Sequence, residues 1–149
     1  MKRKIGIGII VILVIIQFIR PSKNEGETGG NASIINVVQV PEEIQKILKT
    51  SCYDCHSNST VYPWYDNIQP VGWWMANHIK EAKSKLNFDE FYYYMPDKAK
   101  KKLHGIVKEV EENEMPLKSY LLIHTNSRLS DDQKQKVIAW AKGAQSKIK

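Results

Sequence analysis

The two cysteines of this 149-residue chain stand three positions apart, in the run Cys52-Tyr53-Asp54-Cys55-His56. Two thiols and an imidazole in that order make the C-x-x-C-H pattern. Sulfurs with two residues between them reach the two vinyl groups along one edge of a haem and form thioethers, and the imidazole that follows comes to lie under the iron. Attachment through Cys52 and Cys55 and proximal ligation by His56 would then come from one short turn. Three other chemistries use the same residues. A redox dithiol needs C-x-x-C after a strand in a βαβ setting, whereas a helical stripe precedes it here. Zinc needs four ligands, so His56 and another histidine would have to join both sulfurs. A disulfide across so small a loop would contribute little. The expectation is therefore one covalent haem c.

The sixth position of the iron has several candidates: Met75, Met95, Met115, His78, His104 and His124. Met115 is the expected ligand, because it falls in a loop before Pro116 and ahead of the last helix, where a side chain can fold across the distal haem face. Met95 also precedes a proline, and His124 follows Leu121-Leu122-Ile123; both remain open as ligands. His124 has the further option of bonding a carbonyl or a propionate. Met75 beside Trp74 reads as a core methionine, and His78 and His104 read as structural. Tyr62, Trp64, Tyr65, Trp73 and Trp74 cluster after the motif and offer flat apolar cover for a porphyrin, with Trp64, Tyr65 and Trp74 as the candidate contacts.

Helices must position these groups. From Pro41 onward apolar residues recur at helical spacing: Ile44, Ile47 and Leu48 lead into Cys52. Pro70 opens a helix with Val71, Trp74, Met75, His78, Ile79, Ala82 and Leu86 on one face. Ala99, Leu103, Ile106, Val107 and Val110 make another stripe, which stops at Glu114-Met115-Pro116. Ser130 with Gln133 reads as a capping box for a last helix burying Val137, Ile138, Ala141 and Ala144. The expected fold is all-α, a cytochrome-c-like helical domain over residues 41–149.

Ahead of it, Ile5 to Ile19 carries no charge, with Lys2, Arg3 and Lys4 before it and Arg20-Pro21 after it. As a helix these residues rise about 22 Å, short of a hydrocarbon core of about 30 Å, so length permits either a signal-peptide core or a short span. No A-x-A cleavage pattern follows directly. The expectation is an uncleaved transmembrane anchor over residues 1–21, with a cleaved signal peptide as the alternative. The basic cluster ahead of the segment points to a single-pass inner-membrane protein whose domain faces the periplasm. Residues 22–40, with Gly26, Gly29 and Gly30, read as a flexible tether.

The net charge of +6 does not indicate nucleic acid. Half of the excess lies within residues 1–30, and elsewhere basic and acidic residues interleave as on solvated helices. The partners expected are the membrane, through the N-terminal helix, and a redox protein in the periplasm or inner membrane.

Beyond C-x-x-C-H, the chain resembles the small haem-binding domain proteins of Gram-negative bacteria, described as cytochrome-c-like. The resemblance runs from about Pro41 to Trp140 on Cys52-Tyr53-Asp54-Cys55-His56-Ser57-Asn58, Tyr62-Pro63-Trp64-Tyr65, Pro70-Val71, Leu86-Asn87-Phe88, Glu114-Met115-Pro116, Leu129-Ser130 and Ala139-Trp140. It implies a periplasmic c-type haem protein, often membrane-tethered, attached at Cys52 and Cys55 and ligated by His56. Met115 inherits a distal role by likeness to the Met-Pro loop of class I cytochromes c. The family label names no reaction. Electron transfer by a His/Met haem is the expected function, and a five-coordinate haem that senses a gas or reacts with peroxide is the alternative.

Overall fold

Helical periodicity in the sequence becomes helix in the computed structural model, which describes residues 2–148. The α-helices are α1 (Lys2–Ile16), α2 (Ile34–Val37), α3 (Glu42–Ser51), α4 (Tyr53–His56), α5 (Val71–Lys85), α6 (Pro96–Glu111), α7 (Lys118–Leu121) and α8 (Asp131–Lys147). Short 3-10 turns lie at Trp64–Asn67, Phe88–Tyr93 and Thr125–Ser127. Among the described residues there is no strand, only an isolated bridge between Glu25 and Ser59. The all-α expectation holds.

The core forms where three apolar stripes meet. Ile44, Ile47 and Leu48 of α3 pack with Ala99, Leu103, Val107 and Val110 of α6 and with Val137, Ile138, Ala141 and Ala144 of α8. Spacings of three, four and seven put each set on one face of its helix, and alanines on α6 and α8 let their backbones approach closely. Phe88 and Phe91, both 1% exposed, extend this core from the 3-10 turn toward α4. The α8 capping box is present: Ser130 Oγ accepts from the Gln133 amide at 3.2 Å, and Gln133 Oε1 accepts from the Ser130 amide at 2.9 Å.

The N-terminal expectation is overturned. Among the described residues no helix is long and apolar enough to cross a membrane, so α1 is not the transmembrane anchor expected at residues 1–21. The single-pass inner-membrane placement built on it falls with it. The helix stops at Ile16 because Gln17 turns onto the domain: its Oε1 accepts from the Gln69 amide at 2.9 Å, while its Nε2 donates to the carbonyls of Leu13 and Gln69. Trp73 Nε1 donates to the Ile19 carbonyl at 2.7 Å just beyond. Periodicity alone could not reveal this stop, since Gln17 is uncharged and a helix can carry it.

Residues 22–40, expected as a flexible tether, are seated on the domain. The Gly26 amide donates to the Asn58 carbonyl at 2.7 Å, the Thr60 amide to the Asn24 carbonyl at 3.0 Å, and the Gly29 amide to Asp89 Oδ1 at 2.9 Å. Ser33 and Ile34 are completely buried. Glycine serves close approach here: a Cβ on Gly26 would sit 3.1 Å from the Asn58 carbonyl oxygen, and Gly29 has φ +72°. Gly72, in the first turn of α5, is tighter still, because a Cβ there would meet the Asp66 carbonyl oxygen at 2.3 Å.

Candidate functional site

Helix α3 delivers its last turn to Cys52, whose φ of −130° and ψ of −35° break the helix before α4 restarts at Tyr53. The Cys52 carbonyl then accepts from the amides of Cys55 (3.2 Å) and His56 (3.0 Å). Those bonds fix one helical turn, and residues at i, i+3 and i+4 of such a turn share a face. Cys52, Cys55 and His56 are thus brought together by backbone geometry alone. Both thiols are unbridged. Burial, with Cys55 adding to it, pushes the Cys52 thiol up to about 12; burial, with the Asp54 charge adding to it, pushes Cys55 up to about 11. Redox dithiols work through a thiolate stabilised near neutral pH, and these surroundings do the opposite.

The imidazole is held from the far side. His56 Nδ1 lies 3.0 Å from the carbonyl oxygen of Leu86, the residue that ends α5. A carbonyl only accepts, so the proton sits on Nδ1 and the lone pair on Nε2. Metal-ligating histidines carry this same arrangement, their second nitrogen donating to a carboxylate or backbone carbonyl. Burial lowers the His56 pKa against the hydrogen bonding that raises it, which keeps the ring neutral. Phe88 presents an edge to it at a centroid distance of 6.1 Å and stacks on Tyr53 at 5.0 Å.

Asp54, between the two cysteines, ties the turn to the rest of the chain. Its Oδ2 accepts from the Tyr120 hydroxyl at 2.7 Å, its Oδ1 from the Val61 amide at 3.3 Å, and its carbonyl from Thr60 Oγ1 at 2.6 Å. Tyr120 in turn stacks on His124 at 4.2 Å, and His124 Nε2 lies 2.7 Å from the Tyr65 hydroxyl. Asp54, Tyr120, His124 and Tyr65 therefore form one connected group.

The remaining sequence-derived candidates fall in different places. Trp64 packs edge-on against Tyr65 but is 76% exposed. Trp74 is 49% exposed and lies against His78, whose Nδ1 is 3.0 Å from the Trp74 carbonyl. The stripe Val71–Trp74–His78 expected to pack inward therefore faces outward in large part; α5 buries Gly72 and Ile79 instead. Met75, read as core, is half-buried. His104 is exposed on α6. Met95 is 74% exposed and lines a cavity of about 870 Å³ together with Phe91, Tyr94 and Trp140. Met115 is half-buried in the loop after α6, its amide bonded to the Glu109 carbonyl at 3.1 Å.

Two features escape sequence reasoning. The Leu86 carbonyl has no side-chain signature, and the Tyr120–Asp54 bond joins residues that nothing in the linear pattern couples. Among the described residues no three His, Cys, Asp or Glu side chains converge in a way that would hold a bare metal ion. The turn does suit a haem: it offers two neutral sulfurs and a neutral, oriented imidazole on one face.

Comparison with known proteins points to the same cofactor. No curated protein and no solved structure matches the chain. The profile of one family, the haem-binding domain, matches residues 11–143. Since that match takes in α3 to α7, most of α8 and every residue of the site described above, the chain belongs to the haem-binding domain family.

Proposed function

We propose that this haem protein is of the c type, holding one haem covalently through Cys52 and Cys55, and that it transfers electrons. The observation that carries the reading is the single turn bearing Cys52, Cys55 and His56, with His56 Nδ1 committed to the Leu86 carbonyl. A haem in that position supplies one-electron chemistry at its iron. The chain does the rest. Cys52 and Cys55 fix the porphyrin edge, and the Leu86 carbonyl holds the imidazole in the tautomer whose Nε2 can ligate. Trp64, Tyr65 and Trp74 provide aromatic surface after the motif, two of them exposed enough to cover a porphyrin face.

Met115 is the proposed sixth ligand. Four residues separate it from Tyr120, whose hydroxyl is bonded to Asp54 within the motif, so at most about 18 Å of chain lies between that anchor and Met115. His124 is less available, because its Nε2 is engaged by Tyr65. With His56 and Met115 both committed to a haem, the chain would leave no open position for a substrate, which favours electron transfer over the five-coordinate alternative.

The test is expression in cells able to mature c-type cytochromes, read by intact mass and an alkaline pyridine spectrum. The expected result is a mass gain of one haem, retained on unfolding and lost when Cys52 and Cys55 are both changed to Ser. Met115→Ala should convert low-spin to high-spin bands. Colourless protein of unmodified mass would end the reading. Rapid carbon monoxide binding by the reduced wild type would replace electron transfer with the five-coordinate function.

A further inference from the structure

Lys98 and Lys102 share one aromatic ring, and Lys85 lies beside Lys102. Lys98 Nζ lies 5.4 Å from the Tyr94 ring centroid and Lys102 Nζ 5.3 Å from the same centroid, while Lys102 also donates to the Lys85 carbonyl. Elsewhere Lys46, Lys134, Lys136 and Lys142 are each matched with carboxylates. Among the described residues Lys85, Lys98 and Lys102, like Lys100, Lys101 and Lys108 on the same helix as Lys98, take part in no ion pair, although Glu90 and Asp97 lie close in sequence. Burial lowers the Lys102 pKa, and repulsion from Lys98 and Lys85 adds to it, so like charges are held together here against their own field. Tyr92, Tyr93 and Met95 beside them are 67%, 71% and 74% exposed. Exposed aromatic and methionine side chains next to unpaired cations make a surface of the composition that protein interfaces favour.

This cluster adjoins the proposed electron-transfer centre. Lys85 precedes Leu86, whose carbonyl holds His56, and the Tyr94 hydroxyl accepts from the amide of Asn87, the next residue. Burial is the main cause of the lowered His56 pKa, and the Lys102 charge is near enough to add to it.

We infer that Lys98 and Lys102 over Tyr94, with Lys85 beside Lys102, form the docking surface for an acidic redox partner protein, which exchanges its electron on the His56–Leu86 side of the domain. The inference rests on the electron-transfer reading above. Opposite charge would steer and orient such a partner, and the effect weakens as salt screens it over about 10 Å at 0.1 M. The neutral aromatic flank supplies the contact area.

The test uses haem-loaded protein, the variant Lys98→Glu/Lys102→Glu, and the charge-matched control Lys46→Glu/Lys142→Glu. Binding of a decaglutamate peptide, measured by calorimetry at low salt, reports the surface without reference to electron transfer. Stopped-flow oxidation reports its link to the centre: hexacyanoferrate(III) takes one electron from the reduced protein and becomes hexacyanoferrate(II), with no proton or bond change. The expected result is loss of peptide binding and a slowing of oxidation by about tenfold in the patch variant, with a much smaller change in the control and convergence of all three at high salt. Equal effects of the two variants would overturn the docking surface while leaving electron transfer intact. Loss of binding to phosphatidylglycerol vesicles in the patch variant, with decaglutamate binding unchanged, would likewise overturn it in favour of a lipid surface. A wild type that hexacyanoferrate(III) cannot oxidise would instead remove the electron-transfer reading. A conservative Lys102→Gln variant guards against misfolding: its visible spectrum should match the wild type while peptide binding weakens.

Discussion

The Tyr120 hydroxyl donates to Asp54 Oδ2 across 2.7 Å, joining residues 66 positions apart in sequence. Asp54 lies between the two cysteines, and Tyr120 lies on α7, directly after the Met115 loop. One hydrogen bond therefore relates the two segments from which the proposed axial ligands come. Burial, with the hydrogen-bonded Asp54 carboxylate adding to it, raises the Tyr120 pKa, which favours the protonated phenol as donor.

Removing that donor should loosen the link without disturbing the attachment. Tyr120→Phe is expected to lower stability by about 1.5–3 kcal/mol, the range for a hydrogen bond to a charged group. A double-mutant cycle with Asp54→Ala in denaturant unfolding isolates the bond from packing. Additive effects of the two substitutions would show that the contact carries no coupling.

Tyr53 predicts an alkaline limit. Burial, with the Asp89 charge adding to it, raises its pKa from 10.0 to about 12. A raised folded-state pKa contributes stability that is fully present below the unfolded value and is lost as pH rises through the folded one. Stability should therefore decline between about pH 10 and pH 12, and Tyr53→Phe should flatten that part of the profile. Denaturation curves collected across the interval check this, and identical slopes for both proteins would refute it.

Gly72 offers a steric test. Because a Cβ would meet the Asp66 carbonyl oxygen at 2.3 Å, and that atom is backbone, nothing nearby can swing aside. Gly72→Ala should cost on the order of 2–3 kcal/mol despite alanine's better helix propensity. Gly105→Ala makes the comparison fair, since nothing lies within 4 Å of its Cβ; it should be neutral or mildly stabilising. Thermal unfolding of both variants decides the matter.

His124 supplies a negative control for ligation. With its Nε2 held by Tyr65 and its ring stacked on Tyr120, His124→Gln should leave the low-spin visible bands of the haem-loaded protein in place while lowering its melting temperature. A shift to high-spin bands would transfer the sixth position from Met115 to His124.

The helices and the haem-binding character could be read from the chain itself. Leu103, Val107 and Val110 announce α6 through their spacing, Ser130 and Gln133 announce the start of α8, and C-x-x-C-H needs no neighbours to be recognised. Reading failed where composition was used in place of partners. Apolar residues from Ile5 to Ile19 suggested a span, but the helix ends at Ile16 where Gln17 finds Gln69, a residue 52 positions away. Glycines near position 26 suggested freedom, but they allow a close backbone approach to Asn58. Helical spacing puts the Val71–Trp74–His78 stripe of α5 on one face, but α5 meets the domain through Gly72 and Ile79, and Trp74 stands half in solvent.

The acceptor that orients His56 belongs to the main chain, and this bears on how the domain can drift over time. Exchange of the Leu86 side chain alters packing but cannot delete the carbonyl, so point substitutions there leave the imidazole's tautomer untouched. Because Leu86 is buried in the core, substitutions there are limited by packing rather than by the hydrogen bond. Insertions or deletions between Lys85 and Phe88 are a different matter, since they would shift the register of the Leu86 carbonyl against the imidazole.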